Sequence, residues 1–515
     1  MNGKKGLFCG MISLGFIFFG CSMNPEGSSD TSNGKPNIVL IYADDLGYGD
    51  LSCYGATKIQ TPNIDKLADE GLLFTRAYAS SSTCTPSRFS MMTGRYAFRQ
   101  TNTAIAPGDA PLIIDPGSAT LPAMLQAAGY ETAAIGKWHL GLGTPGNLDW
   151  NGHVTPGPAE IGFSYSYLMP ATSDRVPCVF MENQRVVDLD PNDPIEVSFS
   201  EKIGDWPTGK ENPELMKMDT TAGHNNTIIN GIGRIGYMTG GKSALWVDEE
   251  IAGRLVEKSK RFISDNQTKP FFLYLATNDI HVPRLPNEKF AGKSGMGPRG
   301  DVILQLDWTV GEIVKALDSL GISDNTMIVF TSDNGPIVDD GYADQAKELL
   351  NGHTPAGPLR GGKYSTLEGG TRVPMLVKWP KKVNGGKKTD ALLSQVDFIA
   401  SFASLVGQPY DAADAIDSQN HLRALIGESS EGRTTLVEDA INNVLSYVEG
   451  DWKYISPFDG PPTLSWAGGT ESGFLEGPQL YKINEDPHET NNVAGQYPEK
   501  VKEMQEKLAA IKQKQ

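Results

Sequence analysis

Cysteine is scarce, at five residues in 515, and histidine is little commoner at seven. Cys9 and Cys21 fall in an N-terminal leader, so Cys53, Cys84 and Cys178 are left for the folded part. Three cysteines make no disulfide framework, and the sequence leaves open whether Cys53 and Cys178 are bridged. Positive charge is also short: 45 Lys and Arg stand against 62 Asp and Glu, a formal net charge of −17. A polyanion-binding protein is ordinarily basic, so no nucleic acid is expected as a partner. An anionic substrate can still be held if Lys, Arg or a metal is concentrated in one pocket. After the leader no apolar run is long enough to span a bilayer, and no internal repeat is visible.

What the chain does have begins with that leader. Lys4 and Lys5 precede an apolar run from Leu7 to Phe19, followed by Gly20-Cys21. A charged start and a short apolar core read as an export signal. Gly20-Cys21 resembles a bacterial lipoprotein cleavage site, with Cys21 as the lipidated first residue, although Phe18 stands where Leu is usual. A plain cleaved signal peptide is the alternative. The expectation is a signal segment over 1–21, a polar tether over 22–35, and an exported protein, either lipid-anchored in the cell envelope or secreted.

The remaining length suits one large α/β domain with a smaller one after it. Asn37 to Tyr42, Glu131 to Ile135, Pro270 to Ala276, Thr326 to Thr331 and Val373 to Lys378 are apolar and rich in β-branched or aromatic residues, and read as buried strands. Helices are expected from Thr61-Pro62 to Gly71, Leu121 to Ala128, Trp246 to Ser264, Val302 to Leu320 and Val396 to Leu405. This alternation predicts a large, mostly parallel sheet sandwiched by helices. Residues 141–243 are rich in Gly and Pro and read as loops and insertions. Past about residue 430 the pattern turns to short strands such as Trp452 to Ile455, closed by an amphipathic helix from Pro498 to Lys512. The boundaries expected are 36–429 for the catalytic domain and 430–515 for a C-terminal α+β subdomain.

In such sheets ligands lie beyond the carboxyl ends of the strands. Four predicted strands end there in polar residues: Asp44-Asp45, Lys137 and His139, His281, and Asp333-Asn334. Asp44, Asp45, Asp333 and Asn334 offer only oxygen, which suits Ca²⁺ or Mg²⁺ rather than zinc. Singly, an Asp-Asp pair after a strand is usually a turn or a cap, and Asp333-Asn334-Gly335 is a good turn. A lone histidine after a strand is more often structural, and His153, His224, His353, His421 and His488 keep that reading. Arg175, Arg284, Arg299 and Arg360 read individually as surface or ion-pair residues, with one or more of them open as a lining of the substrate pocket.

A more specific string changes the odds. Cys84-Thr85-Pro86-Ser87-Arg88 continues to Thr93-Gly94-Arg95. With Asp44 to Asp50, Gly136 to Gly141, His281-Val282-Pro283, Asp333 to Gly335, Gly361-Gly362-Lys363 and the late Leu480 to Ile483, Asp486-Pro487 and Asn491-Asn492, it resembles the type I sulfatases of the alkaline phosphatase superfamily. The resemblance covers nearly all of the mature chain. It implies that a maturation enzyme oxidises Cys84 to formylglycine, and that Asp44, Asp45, Asp333, Asn334 and the modified residue 84 bind Ca²⁺. It further implies that Arg88 holds the formylglycine hydrate, that Lys137 and Lys363 bind sulfate oxygens, and that His139 and His281 handle protons. A hydrate offers two hydroxyls on one carbon: one attacks sulfur, and loss of a proton from the other lets sulfate leave, an exit that a serine lacks. With an export signal, the expected substrate is a sulfated carbohydrate. Algal polysaccharides of the ulvan or carrageenan type are preferred slightly to host glycosaminoglycan or mucin. The rival readings are a phosphonate or phosphate ester hydrolase of the same superfamily, a simple arylsulfatase, and a surface glycan-binding protein without catalysis.

Overall fold

In a computed structural model the chain is described over residues 1–3, 5–7 and 34–514. Most of the segment expected to be a leader, with Cys21, and nearly all of the expected tether therefore lie outside the described residues. Among those described, no helix is long and apolar enough to cross a membrane.

The centre is a ten-stranded sheet built from β1 (Asn37–Ala43), β2 (Leu72–Phe74), β3 (Glu131–Lys137), β4 (Tyr165–Met169), β5 (Met181–Glu182), β6 (Arg185–Val186), β7 (Phe271–Ala276), β8 (Thr326–Ser332), β9 (Met375–Lys378) and β10 (Lys387–Thr389). The spatial order is β10-β2-β9-β8-β1-β7-β3-β4-β5-β6. From β8 to β4 the neighbours are all parallel, whereas β9 pairs antiparallel with β8 and with β2. All seven residues of β1 are buried. A strand covered on both faces has no polar side, which is why its sequence is continuously apolar rather than alternating.

Two groups of helices supply that cover. One comprises α1 (Pro62–Asp69), α4 (Ile251–Asp265) and α5 (Gly297–Ser319); the other comprises α2 (Cys84–Thr93), α3 (Leu121–Ala127) and α6 (Phe398–Val406). The helix expected to start at Trp246 starts at Ile251, after a 3-10 turn over Asp248–Glu250. Three acidic residues there sit at the positive end of the helix, where they are favoured.

The reading of 141–243 as loops is corrected in one respect. Tyr165–Met169 is a full member of the central sheet, parallel to Glu131–Lys137. Its run YSYLM is short and framed by Gly and Pro, so local composition hid it. Met181–Glu182 and Arg185–Val186 continue the same sheet beside it as a hairpin, and the rest of the stretch is short strand pairs, 3-10 turns and loops. Beyond it, β11 (Thr435–Asp439), β12 (Leu445–Glu449), β13 (Trp452–Ile455) and β14 (Gln479–Lys482) form a separate antiparallel sheet, followed by α7 (Pro498–Gln513). Cys53, Cys84 and Cys178 are free thiols, so Cys53 and Cys178 are not bridged.

Candidate active site

The four central parallel strands β8, β1, β7 and β3 end side by side. Their carboxyl ends carry Asp333-Asn334, Asp44-Asp45, His281 and Lys137-His139. Residues far apart in the chain are thus brought to one edge by strand order alone. Asp44, Asp45, Asp333 and Asn334 are 0% exposed, and so are Lys137 and Arg88.

The residues pair closely. Arg88 donates from Nε and Nη2 to Asp333 Oδ2 at 3.0 and 2.7 Å, and from Nη1 to the Tyr274 hydroxyl at 3.0 Å. Lys137 Nζ donates to Asp44 Oδ2 at 2.6 Å. Lys363 Nζ donates to Asp45 Oδ2 at 2.9 Å and to Asp340 Oδ2 at 2.8 Å. Burial opposes the charge on Lys363, yet Asp340 and Asp45 prevail and hold its pKa well above the ordinary lysine range. Burial, with Asp333 close by, pushes the Asp44 carboxyl well up despite Lys137. Four carboxylates thus face three cations among these groups.

Two oxygens are left over. Asp44 Oδ1 and Asn334 Oδ1 are buried with no hydrogen-bond partner. Unpartnered buried oxygens beside other carboxylates are the donor set a hard cation takes. Ligand atoms of Asp44, Asp45 and His281 also converge within 4.8 Å. A histidine ligand was not expected here, and the oxygen set fits better. His281 Nδ1 is taken up by the Val282 carbonyl at 2.6 Å, its Nε2 stands 3.8 Å from Asp45 Oδ2, and Ca²⁺ favours oxygen.

Cys84 is the first residue of α2, not part of a loop ahead of it, and all ten residues of that helix are buried. CTPSRFSMMT has no single apolar face because no face meets water, so periodicity gives no sign of it. Burial pushes the Cys84 thiol up, against the pull of Lys137 and Lys363. The site therefore does not activate a thiolate. His139 Nε2 meets the Ala106 carbonyl at 2.9 Å, which leaves Nδ1 buried without a partner. Burial, and then Lys137, hold His139 well below the usual histidine range; burial and Lys363 do the same to His281.

Three residues at this edge have left-handed backbone without being glycine: Asp45 at φ 57, His139 at φ 53 and Tyr364 at φ 76. Such strain costs on the order of 1–3 kcal/mol each and gathers where side chains must be aimed. Gly335 shows why the loop bearing Lys363 can approach: its N–H donates to Gly370 O at 2.8 Å, and a Cβ there would meet Gly369 O at 1.7 Å.

A cavity of about 290 Å³ opens over Cys84, His281 and Lys363, and its remaining wall includes Asp174, Arg175, His224, Asp340, Tyr364 and Trp466. His139, Lys137 and Arg88 do not line it. Asp174 accepts from Arg175 Nη1 at 2.9 Å and pairs with His224 Nε2 at 3.1 Å. Burial opposes the charge on His224, but Asp174 prevails and raises its pKa. Arg175, open in the sequence as a pocket residue, is in this wall; His224, read there as structural, is too, and Asp174, Asp340 and Trp466 come from segments without a recognisable pattern. Arg299 and Arg284 are buried ion-pair residues, on Asp50 at 2.7 Å and on Asp344 at 2.7 Å.

A parallel sheet that gathers an oxygen-rich site, three buried cations and a cysteine at a helix start defines a class, and comparison with known proteins agrees. The sequence model of the sulfatase family matches residues 36–176 and 178–408, so the chain belongs to the sulfatase family and is a sulfuric ester hydrolase. It is 57% identical over 496 residues to an N-acetylgalactosamine-6-O-sulfatase of Bacteroides thetaiotaomicron, covering 96% of this chain and 97% of that protein. It is 32% identical to human arylsulfatase A, over 89% of this chain and 83% of that one. A solved structure from work on the metabolism of multiple glycosaminoglycans by Bacteroides thetaiotaomicron superposes with a TM-score of 0.92 at 58% identity, covering 93% of this chain and 99% of that chain.

Proposed function

We propose that this sulfatase removes the sulfate at O6 of an N-acetylgalactosamine residue at the end of a carbohydrate chain, with residue 84 as formylglycine and Ca²⁺ held by Asp44, Asp45, Asp333, Asn334 and residue 84. The observation that carries the reading is the small cavity that opens over Cys84, lined by Lys363 and His281, in a chain so similar to an N-acetylgalactosamine-6-O-sulfatase. At about 290 Å³ it lies just below the usual ligand-pocket range of roughly 300–1,000 Å³ and suits one sugar rather than a polymer laid across a groove. This supports action on a terminal residue. The relative at 57% identity and the structure at 58% identity support a glycosaminoglycan source over the algal polymer expected from the sequence.

When bound, the cation supplies positive charge against the sulfate oxygens. The other roles belong to the chain. Lys363, in the cavity wall, aims its ammonium at the same oxygens in a water-poor site, where one such contact is worth about 3 kcal/mol, and Lys137, paired with Asp44 outside that wall, adds positive charge to the same site. Arg88, fixed by Asp333 and Tyr274, orients residue 84. His281, whose Nδ1 is occupied by Val282 O, has Nε2 free to hand a proton to the departing sugar oxygen. The negative charge of a bound sulfate ester raises its depressed pKa and so favours that proton. His139 keeps an unpartnered Nδ1 to take a proton from residue 84.

The test is release of inorganic sulfate from 6-O-sulfated N-acetylgalactosamine, from chondroitin-type oligosaccharides sulfated at the terminal or at an internal residue, from carrageenan, and from a phosphonate monoester. Turnover is expected on the monosaccharide and on terminally sulfated oligosaccharides. Preference for carrageenan, for internal sulfate or for the phosphonate would overturn the reading.

A further inference from the structure

Trp466 is 44% exposed, and no other tryptophan is among the exposed large apolar residues described. It does not project from a loose loop. It sits on a 3-10 turn, Ser465–Ala467, inside a small hairpin whose strands are Thr463–Leu464 and Thr470–Glu471. Leu464 and Ala467, on either side of it, are 4% and 1% exposed. The turn is therefore anchored in a small apolar cluster while its largest apolar side chain is left facing the cavity over Cys84.

The ring is held in register with the sulfate end of the cavity. It packs against Tyr364 with centroids 4.7 Å apart and planes at 57°. Tyr364 donates its hydroxyl to Asp340 Oδ1 at 3.0 Å, and Lys363 donates to Asp340 Oδ2 at 2.8 Å. The aromatic pair and the ammonium of Lys363 thus share one buried carboxylate. The opposite wall, with Arg175 and His224 on Asp174, is polar. A ligand matched to this cavity is apolar on one face, bears hydrogen-bonding groups round its edge, and carries an anion at one end. A sulfated pyranose has that anatomy: its axial C–H bonds, weakly positive, meet the negative face of an indole. In N-acetylgalactosamine the axial hydroxyl leaves the C–H bonds at positions 3, 4 and 5 together on the other face.

Resting on the proposed function, we infer that Trp466 is a specificity-determining residue: it is the platform for the C–H face of the sugar ring, set by Tyr364 and Asp340 at a fixed distance from Lys363. It acts on the sugar and not on the sulfate.

The experiment uses matured full-length enzyme, wild type, W466F and W466A. It measures kcat and KM on 6-O-sulfo-N-acetylgalactosamine and the inhibition constant of inorganic sulfate. W466A is expected to raise KM about tenfold or more, as loss of a central aromatic contact does, with kcat within about threefold and inhibition by inorganic sulfate unchanged. W466F keeps an aromatic face and should fall between the two. An unchanged KM in W466A, or inhibition by inorganic sulfate weakening in step with KM, would overturn the inference, the second because it marks a general disturbance of the cavity. Wild-type enzyme that releases no sulfate from this sugar would instead overturn the functional reading, and the platform with it.

Discussion

At the scale of single residues the site is governed by pairing in a dry environment. Lys363 stands between Asp45 and Asp340, and Arg88 is spread over Asp333 and Tyr274. Breaking such a buried pair leaves an uncompensated charge, so these positions combine structural and chemical roles. His281 is different, because its ring is fixed from one side by the Val282 carbonyl and its other nitrogen has no strong partner. Removing it should expose its chemistry with little structural loss. A nitrophenolate leaves readily without a proton, whereas a sugar alkoxide does not. His281→Ala is therefore expected to cost about 10²–10⁴-fold on the sulfated sugar and far less on nitrophenyl sulfate. Steady-state kinetics on both esters decides it, and equal losses would remove His281 from the acid role.

At the scale of elements, much of the site was legible because it lies at strand ends. Asn37–Ala43, Phe271–Ala276 and Thr326–Ser332 are apolar enough to be read as buried strands, and the polar residues that stop them are the ones brought together. Cys84 to Arg88 was legible as a motif but not as the start of a helix, since α2 is buried all round. The specificity wall was not legible. Asp174, His224 and Trp466 come from three loops that meet only through tertiary packing, and no periodicity marks them. The left-handed backbone at Asp45, His139 and Tyr364 was equally hidden, because none of these is a glycine.

The segment leading to α2 is tied to β11 by paired backbone bonds, Ser82 N–H to Asp439 O at 2.9 Å and Asp439 N–H to Ser80 O at 3.0 Å. The Asp439 carboxylate also accepts from Ser81 Oγ at 2.5 Å. Burial lifts the Asp439 pKa to about 7, with the Ser81 hydroxyl offsetting only part of the rise. Between about pH 4 and 7 the folded state keeps a proton that the unfolded chain has released, so stability falls as pH rises through that window and is then level. Asp439→Asn keeps the shape and removes the titration. Its stability relative to wild type should be near zero at pH 4 and grow to a gain of up to about 4 kcal/mol at pH 8. Denaturant unfolding at pH 4, 6 and 8 measures this; a difference that does not change with pH would refute it.

For the whole molecule, a central feature is the group of carboxylates at the carboxyl edge of the main sheet, where four side-chain acids face three cations. A cation held there by Asp44, Asp45, Asp333 and Asn334 would bind the native state alone and so stabilise it. At a free concentration of 100 times Kd the gain is about 2.7 kcal/mol. Verified removal with a chelator is expected to abolish turnover and to lower Tm by about 3 °C, both restored by Ca²⁺. Unchanged melting and turnover after removal would exclude the cation from the site.

The burial of α2 also has a bearing on time. Cys84 is 2% exposed, and its neighbours Thr85, Ser87 and Arg88 are 0% exposed. An enzyme that reads a stretch of backbone and side chains cannot do so once these are packed beneath the sheet edge. On the proposed chemistry, oxidation of Cys84 must precede folding, in the interval when the newly made chain is still extended. Protein that folds before it is oxidised is committed to the thiol form, and the active fraction of a preparation records a race won or lost during biosynthesis.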